Sequence, residues 1–313
     1  MRTTVFSKGK SDKSMNNRTI SPWRRFNAMD GLIHLLVGFM ALICILPIIN
    51  MVAISFSANS PVAAGMVFFW PVNFTMASYD RLLGETEFVR AFNIAVLRAI
   101  TGTGLSMVVT ILFAYPMSKE TKHFRQRTPF MWLAVITMFF GGGLIPSFIN
   151  IRNFGLLDNY LVYIVPGAFG VFNAVLLMNF FRGVPKELEE AASMDGASPL
   201  GTLLRIYLPI SLPALATITL FNAVGHWNDF FTGLIYVTDA SMHPLSTYIY
   251  RLNLTVDDIR RITDPVELAR RLEVSSQTFN AAKIVVSMIP VLCIYPFLQR
   301  YFVKGLVIGS VKG

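Results

Sequence analysis

The chain has 313 residues, 54% of them hydrophobic and only 14% charged, with a net charge of +9. A soluble domain carries roughly 25% charged residues, so this much apolar surface cannot all be hidden inside one soluble core. The composition disfavours a large soluble helical protein and points to an all-α, polytopic membrane protein.

Residues 1–30 form a basic N-terminal tail. Within it, Lys8-Gly9-Lys10-Ser11 echoes the end of a phosphate-binding loop, but Thr4 stands where the first glycine is needed and no strand precedes it, so chance explains the match. Six stretches then follow that are long and apolar enough to cross a hydrocarbon layer, which takes about 20 helical residues. They run over about 31–55, 91–117, 130–150, 160–181, 208–232 and 281–303. In lipid the backbone must satisfy its own hydrogen bonds, so each is expected as a helix. None has the alternation of a membrane β-barrel strand. The first is too long for a signal-peptide core and has no small-residue cleavage site, so it is expected to be retained. Cys44 and Cys293 fall in the first and last stretches and are expected as small buried apolar residues rather than a disulfide.

Between the first two stretches lie Pro61, Gly65, Trp70 and Pro71, with Trp70 and Tyr79 suited to a membrane interface. Arg98 sits about eight residues into the second stretch. An intramembrane charge is a functional candidate by default, but a side chain this long is expected to snorkel to the outer interface. Gly102 and Ser106, four apart, offer a small-residue helix contact, for simple packing or for gating. Gly141-Gly142-Gly143 and Pro146 interrupt the third stretch, which a membrane tolerates where protein or a water-filled cavity covers the break. An external loop, 233–280, follows the fifth stretch. Its segment 254–275 is strongly charged, and Pro265 to Leu272 reads as a short surface helix, either a solvated face or a docking surface.

Basic residues set the orientation. Seventeen of the 27 Lys and Arg lie in the N-terminal tail, the loops after the second and fourth stretches, and the C-terminal end, 304–313 included. With six helices all four regions share one side, the cytoplasm. The loop 233–280 holds five arginines against six acids and is long enough to escape that rule. The positive charge is therefore a topology signal, and no nucleic-acid-binding pattern accompanies it.

The most informative segment is the polar loop 185–207. Pro185 suits a helix start. Glu187, Glu189 and Glu190 load the first turns with acid, which favours the helix dipole. Ala191 and Ala192 keep one face flat. Gly196 permits a chain reversal that a bulky residue resists. Pro199 starts a second helical segment, Leu203, Leu204 and Ile206 form an apolar patch, and Pro209 and Pro213 open the fifth span.

The spacing Glu190-Ala-Ala-x-x-Asp195-Gly196-Ala197, then Ile206, Leu208-Pro209 and Pro213, resembles the EAA loop of binding-protein-dependent ABC importer permeases of the carbohydrate class. Leu203 stands where a bulkier residue such as Phe is usual. Gly142 to Pro146, Gly155-Leu156-Leu157-Asp158, Asn173, Pro185 to Leu188, Trp227-Asn228-Asp229 and the ending Val303-Lys304-Gly305 to Val311-Lys312-Gly313 extend the resemblance to the maltose-permease-like class over nearly the whole chain. Ser55 to Gly65 is similar to the segment found in a Gram-positive oligosaccharide branch.

The resemblance implies a type I ABC importer permease fold with six transmembrane helices in the plasma membrane, both termini cytoplasmic. It implies a coupling helix from Glu190 to Ala197 seated in an ATPase cleft, with Glu190 as electrostatic anchor, Asp195 and Gly196 setting the turn, and Ala191, Ala192 and Leu203 also in the ATPase-coupling set. The implied partners are a second permease subunit, two copies of an ABC ATPase, an extracytoplasmic solute-binding protein facing 233–253, and membrane lipid, with no nucleic acid. ATP and Mg would be used by the ATPase, so this chain would need no cofactor and would not be an enzyme.

Asn222, His226, Trp227, Asn228 and Asp229 resemble a sugar-contacting set, an aromatic face beside hydrogen-bonding groups. They are also compatible with capping the helix or pairing with a neighbouring subunit. His34, His123, His226 and His243 are scattered without metal-ligand spacing. An ion-coupled secondary transporter would be expected to carry acids at the membrane midplane, and the sequence places them in loops or at helix ends. A membrane scaffold or receptor would not require the EAA loop.

Overall fold

The computed structural model describes residues 28–120, 122, 124–259 and 277–310. Every regular element among them is helical. The expected surface helix at 265–272 and the extreme termini lie outside the described residues. The chain divides into two units between Ile48 and Ile49. The described part of the first unit is the N-terminal portion of α1 (Ala28–Ser55), whose large apolar side chains, such as Leu35 and Phe39, are exposed as a lipid-facing helix requires.

The second unit is built around α4 (Thr86–Ser118), which at 33 residues is about 50 Å long. It packs against α7 (Val171–Arg182) and α11 (Leu212–Asn228), and α11 packs in turn on α14 (Gln277–Ser310). Two apolar clusters hold the two ends of α4. Ala114 and Met117 pack with Leu177, Phe181, Leu203, Tyr207 and Ile218. Phe88, Ala91 and Ala95 pack with Leu82, Trp227, Leu245, Phe279 and Ala282. Short helices α2 (Asn59–Ala63) and α3 (Ala77–Gly84) precede α4.

Among the described residues three helices are long and apolar enough to cross a membrane as single rods: Met29–Ser55 of α1, α4, and Gln277–Ile294 of α14. The stretch expected near 130–150 is instead two helices, α5 (Arg127–Phe139) and α6 (Leu144–Asn153), with a bend of 118° between them. The glycine triplet is the cause: Gly143 has φ +81°, a conformation that side-chain-bearing residues avoid. The stretch near 160–181 is a 3-10 turn at Tyr160–Tyr163 followed by the 12-residue α7. Pro166 lacks the amide a continuous helix needs, and Gly167 and Gly170 weaken helix further.

The fifth stretch begins after a tight sequence of α8 (Lys186–Met194), α9 (Pro199–Thr202), a π turn (Leu203–Tyr207) and α10 (Leu208–Ile210). The segment Pro199–Ile210 meets α11 at 84°, with Pro213 in the first turn of α11. After Asp229 come α12 (Phe231–Tyr236) and α13 (Leu245–Ile259), and α13 starts inside the second cluster through Leu245. Cys44 and Cys293 are free and exposed. They are outward-facing apolar residues, not the buried ones the sequence led one to expect.

Candidate functional site

The loop 185–207 folds as helix, reversal and helix. Pro185 caps α8, and none of the nine residues of α8 is buried. Gly196 reverses the chain at φ +74°. Its amide donates to the Ser193 carbonyl and that of Ala197 to the Ala192 carbonyl, which closes the C-terminus of α8. Ser198 then accepts from the Gly201 amide as the N-cap of α9. Glu190, Ala191, Asp195, Gly196 and Ala197 are exposed, and Ala192 is half-buried. Around them Leu188, Met194, Leu200 and Leu204 expose apolar side chains, Met194 at 89%. Leu203 points inward and is 2% exposed, so it supports the segment from beneath, whereas its neighbour Leu204 faces out.

What holds α8 to the bundle is Glu189, which in the sequence stands out only as one member of an acidic turn. Lys119 Nζ donates to Glu189 Oε1 at 2.7 Å and to the Tyr207 hydroxyl at 2.9 Å, and that hydroxyl donates to Glu189 Oε2 at 2.7 Å. The ammonium also lies 4.2 Å and 4.1 Å from the ring centres of Tyr115 and Tyr207. Burial lowers the Lys119 pKa, and the contact with Glu189 acts against that shift. Outside this closed triangle, Glu120 bridges Lys186 and Lys122, which pull its carboxyl down to about 2. Glu190 stays at the surface.

A second feature is a cavity of about 590 Å³ at the other half of α4. Asn222, His226 and Asp229 of the fifth span line it, together with Arg98, Ser147, Asn150 and Tyr163. The positions 222, 226 and 229 recur on one helical face. Trp227 falls on another face: it is buried, packs edge-on to Phe92 at 5.8 Å, and its indole N–H donates to the Ser287 carbonyl at 3.0 Å. Asn228 is exposed and does not line the cavity. Of the five residues grouped by sequence, three are brought together and two are not.

Arg98 does not snorkel. It is 1% exposed, forms an ion pair with the Asp229 carboxylate, and donates through Nη1 to the Asp229 carbonyl at 2.7 Å. Its guanidinium stands 4.7 Å from the Tyr163 ring centre. Asp229 also accepts from the Thr232 amide at 3.1 Å and hydroxyl at 2.5 Å, so one carboxylate caps the next turn and neutralises the arginine. Partners for its charge and for two of its donors are within reach inside the bundle, so the side chain does not have to extend to water. His226 rests on Gly102: a Cβ built there would lie 2.6 Å from the imidazole. The small residue noticed in the sequence thus makes room for a specific ring. Asn173 Nδ2 donates to Asn222 Oδ1 at 3.0 Å and ties α7 to this face of α11.

A clamp joins the loops beyond the cavity. Asp158, in a left-handed conformation at φ +51°, accepts from the Thr238 amide at 2.5 Å and hydroxyl, and from the Asp239 amide at 3.2 Å. Among the described residues no cluster of His, Cys, Asp or Glu could hold a metal ion.

Binding-protein-dependent transport system inner membrane components match residues 21–308 of the chain. The chain belongs to this family. It is a membrane-embedded transport component, and the family is one of permeases rather than enzymes. The permease is 38% identical over 284 residues to the polygalacturonan/rhamnogalacturonan transport system permease protein YtcP of Bacillus subtilis (strain 168), covering 91% of this chain and 98% of that one. It is 37% identical to protein LplC of the same strain over 279 residues, 89% and 93% of the two chains. Among solved structures it resembles a chain of a bacterial ABC transporter involved in the import of the acidic polysaccharide alginate. The TM-score is 0.78 with 33% identity, covering 88% of this permease and 99% of that chain.

Proposed function

We propose that this permease is one of two different membrane subunits of an ATP-driven importer and forms half of the passage for a carbohydrate, an oligosaccharide delivered by an extracytoplasmic binding protein. A second permease completes the passage. Two copies of an ABC ATPase, which use ATP and Mg, drive it from the cytoplasm, where both termini lie. The relatives named for polygalacturonan/rhamnogalacturonan and for alginate support a saccharide cargo.

The observation that carries this reading is α8: a short helix with no buried residue, bordered by exposed Leu188, Met194 and Leu200, yet fixed to α4 and the π turn through Glu189. An exposed but anchored helix is suited to receive a push from another protein and pass it inward. Glu190, Ala191, Ala192, Asp195, Gly196 and Ala197 form its contact surface, with Leu203 as support. Lys186 begins it, Lys119 bonds to it, and Lys122, Arg127 and Arg182 lie in the adjoining segments, as the positive-inside rule expects for the cytoplasmic side.

In the cavity, Asn222, His226 and Asp229 contribute to the passage. The Arg98–Asp229 pair leaves it without net charge from those two groups, so its chemistry suits hydroxyl-rich rings, with Tyr163 and Phe231 as apolar faces.

The test is a cysteine cross-link from position 193 or 194 to co-expressed candidate ATPases, with ATP present and withheld. A nucleotide-sensitive cross-link is expected. Failure to cross-link any ATPase, combined with uptake that survives ATP depletion and stops when the ion gradient collapses, would replace this reading with that of a secondary transporter.

A further inference from the structure

Two arginines converge where α4 ends. Arg127 Nε donates to the Met117 carbonyl at 2.8 Å, and Arg182 Nη2 approaches the same oxygen at 3.4 Å. An unpaired carbonyl at a helix C-terminus attracts cations, and this accounts for one donor from each side chain. It leaves the two guanidinium groups beside each other with most of their donors unused. Neither has a carboxylate partner among the described residues. The nearby acids are engaged elsewhere, Glu189 with Lys119 and Glu120 with Lys122 and Lys186.

Below this doubly charged end runs a groove of about 360 Å³ between α5 and α7. Its walls are Met131, Trp132, Val135 and Met178. Trp132 is 64% exposed, and the outward face of α5 continues with exposed Leu133 and Ile136. The groove therefore has a cationic head end, a tryptophan at the boundary, and an apolar length. That order matches an anionic phospholipid, with a phosphate at the head and acyl chains along the helix. Basic pockets between membrane helices are suited to anionic headgroups, and tryptophan favours the interfacial depth. Two like charges held together would also be relieved by a phosphate, whose oxygens accept several guanidinium donors at once.

We propose that the α5–α7 groove is a binding site for an anionic phospholipid of the surrounding bilayer, its phosphate held between Arg127 and Arg182 and its acyl chains lying along Trp132 and Val135. The occupant ties the start of α5 to the end of α7, beside the loop that carries Glu120. The proposal requires only that these helices lie in a membrane, so it stands independently of the cargo and the ATPase.

The experiment uses the full chain reconstituted in phosphatidylcholine vesicles containing a minority of phosphatidylglycerol, with either the one or the other lipid brominated on its acyl chains. Bromine quenches tryptophan at contact. The difference between wild type and Trp132→Phe isolates Trp132 from the other three tryptophans of the chain. Each basic group near an anionic lipid is worth about a fivefold preference, so the pair predicts roughly 25-fold enrichment of phosphatidylglycerol over phosphatidylcholine at Trp132. The Arg127→Gln/Arg182→Gln variant is expected to lose the preference. Arg127→Lys/Arg182→Lys, which keeps the charge but loses the same contacts to Met117, is expected to keep most of it. Equal quenching by both lipids in the wild type would make the groove ordinary lipid contact and overturn the proposal. Absence of quenching by either would mean protein covers the groove and would overturn it too. A preference that survives in the Gln pair would remove the arginines from the account.

Discussion

Asp229→Ala tests the buried ion pair most directly. The substitution leaves Arg98, which is 1% exposed, with the backbone carbonyl of residue 229 as its remaining acceptor there. It also removes the acceptor for the Thr232 amide and hydroxyl. Breaking a buried pair by deleting one partner costs about 3–5 kcal/mol. The Asp229 side chain is 31% exposed and borders the cavity, so water can partly replace it, which moves the expectation to the low end, about 3 kcal/mol. Loss of the Thr232 contacts adds about 1 kcal/mol. Arg98→Met should be costly for the matching reason, while the double variant leaves no orphan charge and should recover about 2 kcal/mol relative to the sum of the singles. The assay is unfolding of the purified chain in mixed micelles titrated with sodium dodecyl sulfate, followed by tryptophan fluorescence. Additivity of the two substitutions within about 0.5 kcal/mol would refute the pair. A loss below about 0.5 kcal/mol for Asp229→Ala would return Arg98 to a hydrated, snorkelling position.

Gly102→Leu drives a side chain into the His226 ring, an overpacking worth about 1–3 kcal/mol in the same assay, and His226→Ala should relieve it. Glu189→Ala removes the acceptor for Lys119 and Tyr207; discounted for partial exposure, the loss is about 1 kcal/mol, and amide exchange should quicken across α8 while α11 stays protected. The Glu120 bridge has a fixed pH window. Its carboxyl titrates near 2 in the folded chain against 4.5 without its partners, so its contribution is present above 4.5 and is lost as pH falls through about 2. A carboxylate-resolved titration should therefore show Glu120 ionised throughout neutral pH, and Lys186→Gln should raise its midpoint toward 4.5.

The parts of this protein that were legible in its sequence are those written in local chemistry. Pro185, the acidic turn, Gly196 and Pro199 mark α8, its reversal and α9 with no help from the rest of the chain, and the glycine triplet at 141–143 marks a break. Averaged hydropathy concealed the second break, because Pro166, Gly167 and Gly170 sit among strongly apolar neighbours. The Arg98–Asp229 pair joins positions 131 residues apart, and nothing in either neighbourhood encodes the other, which is why the length of the side chain alone led to the expectation that it snorkels. The split of the 222–229 group was readable in principle. Successive residues turn about 100° around a helix, so His226, Trp227 and Asn228 must face three directions. Glu189 was hidden by its neighbours Glu187 and Glu190, since only the position of Lys119 distinguishes the three.

The right-angled corner at Ser211 fixes a mechanical ratio. His226 stands 15 residues beyond it along α11, about 22 Å of helix rise. A tilt of α11 by about 5° about that corner would carry the imidazole sideways by about 2 Å, about the H···O separation of one hydrogen bond. The helix that lines the cavity is thus a long arm on a short pivot. A tilt of a few degrees at the corner would therefore have its largest effect at the cavity wall.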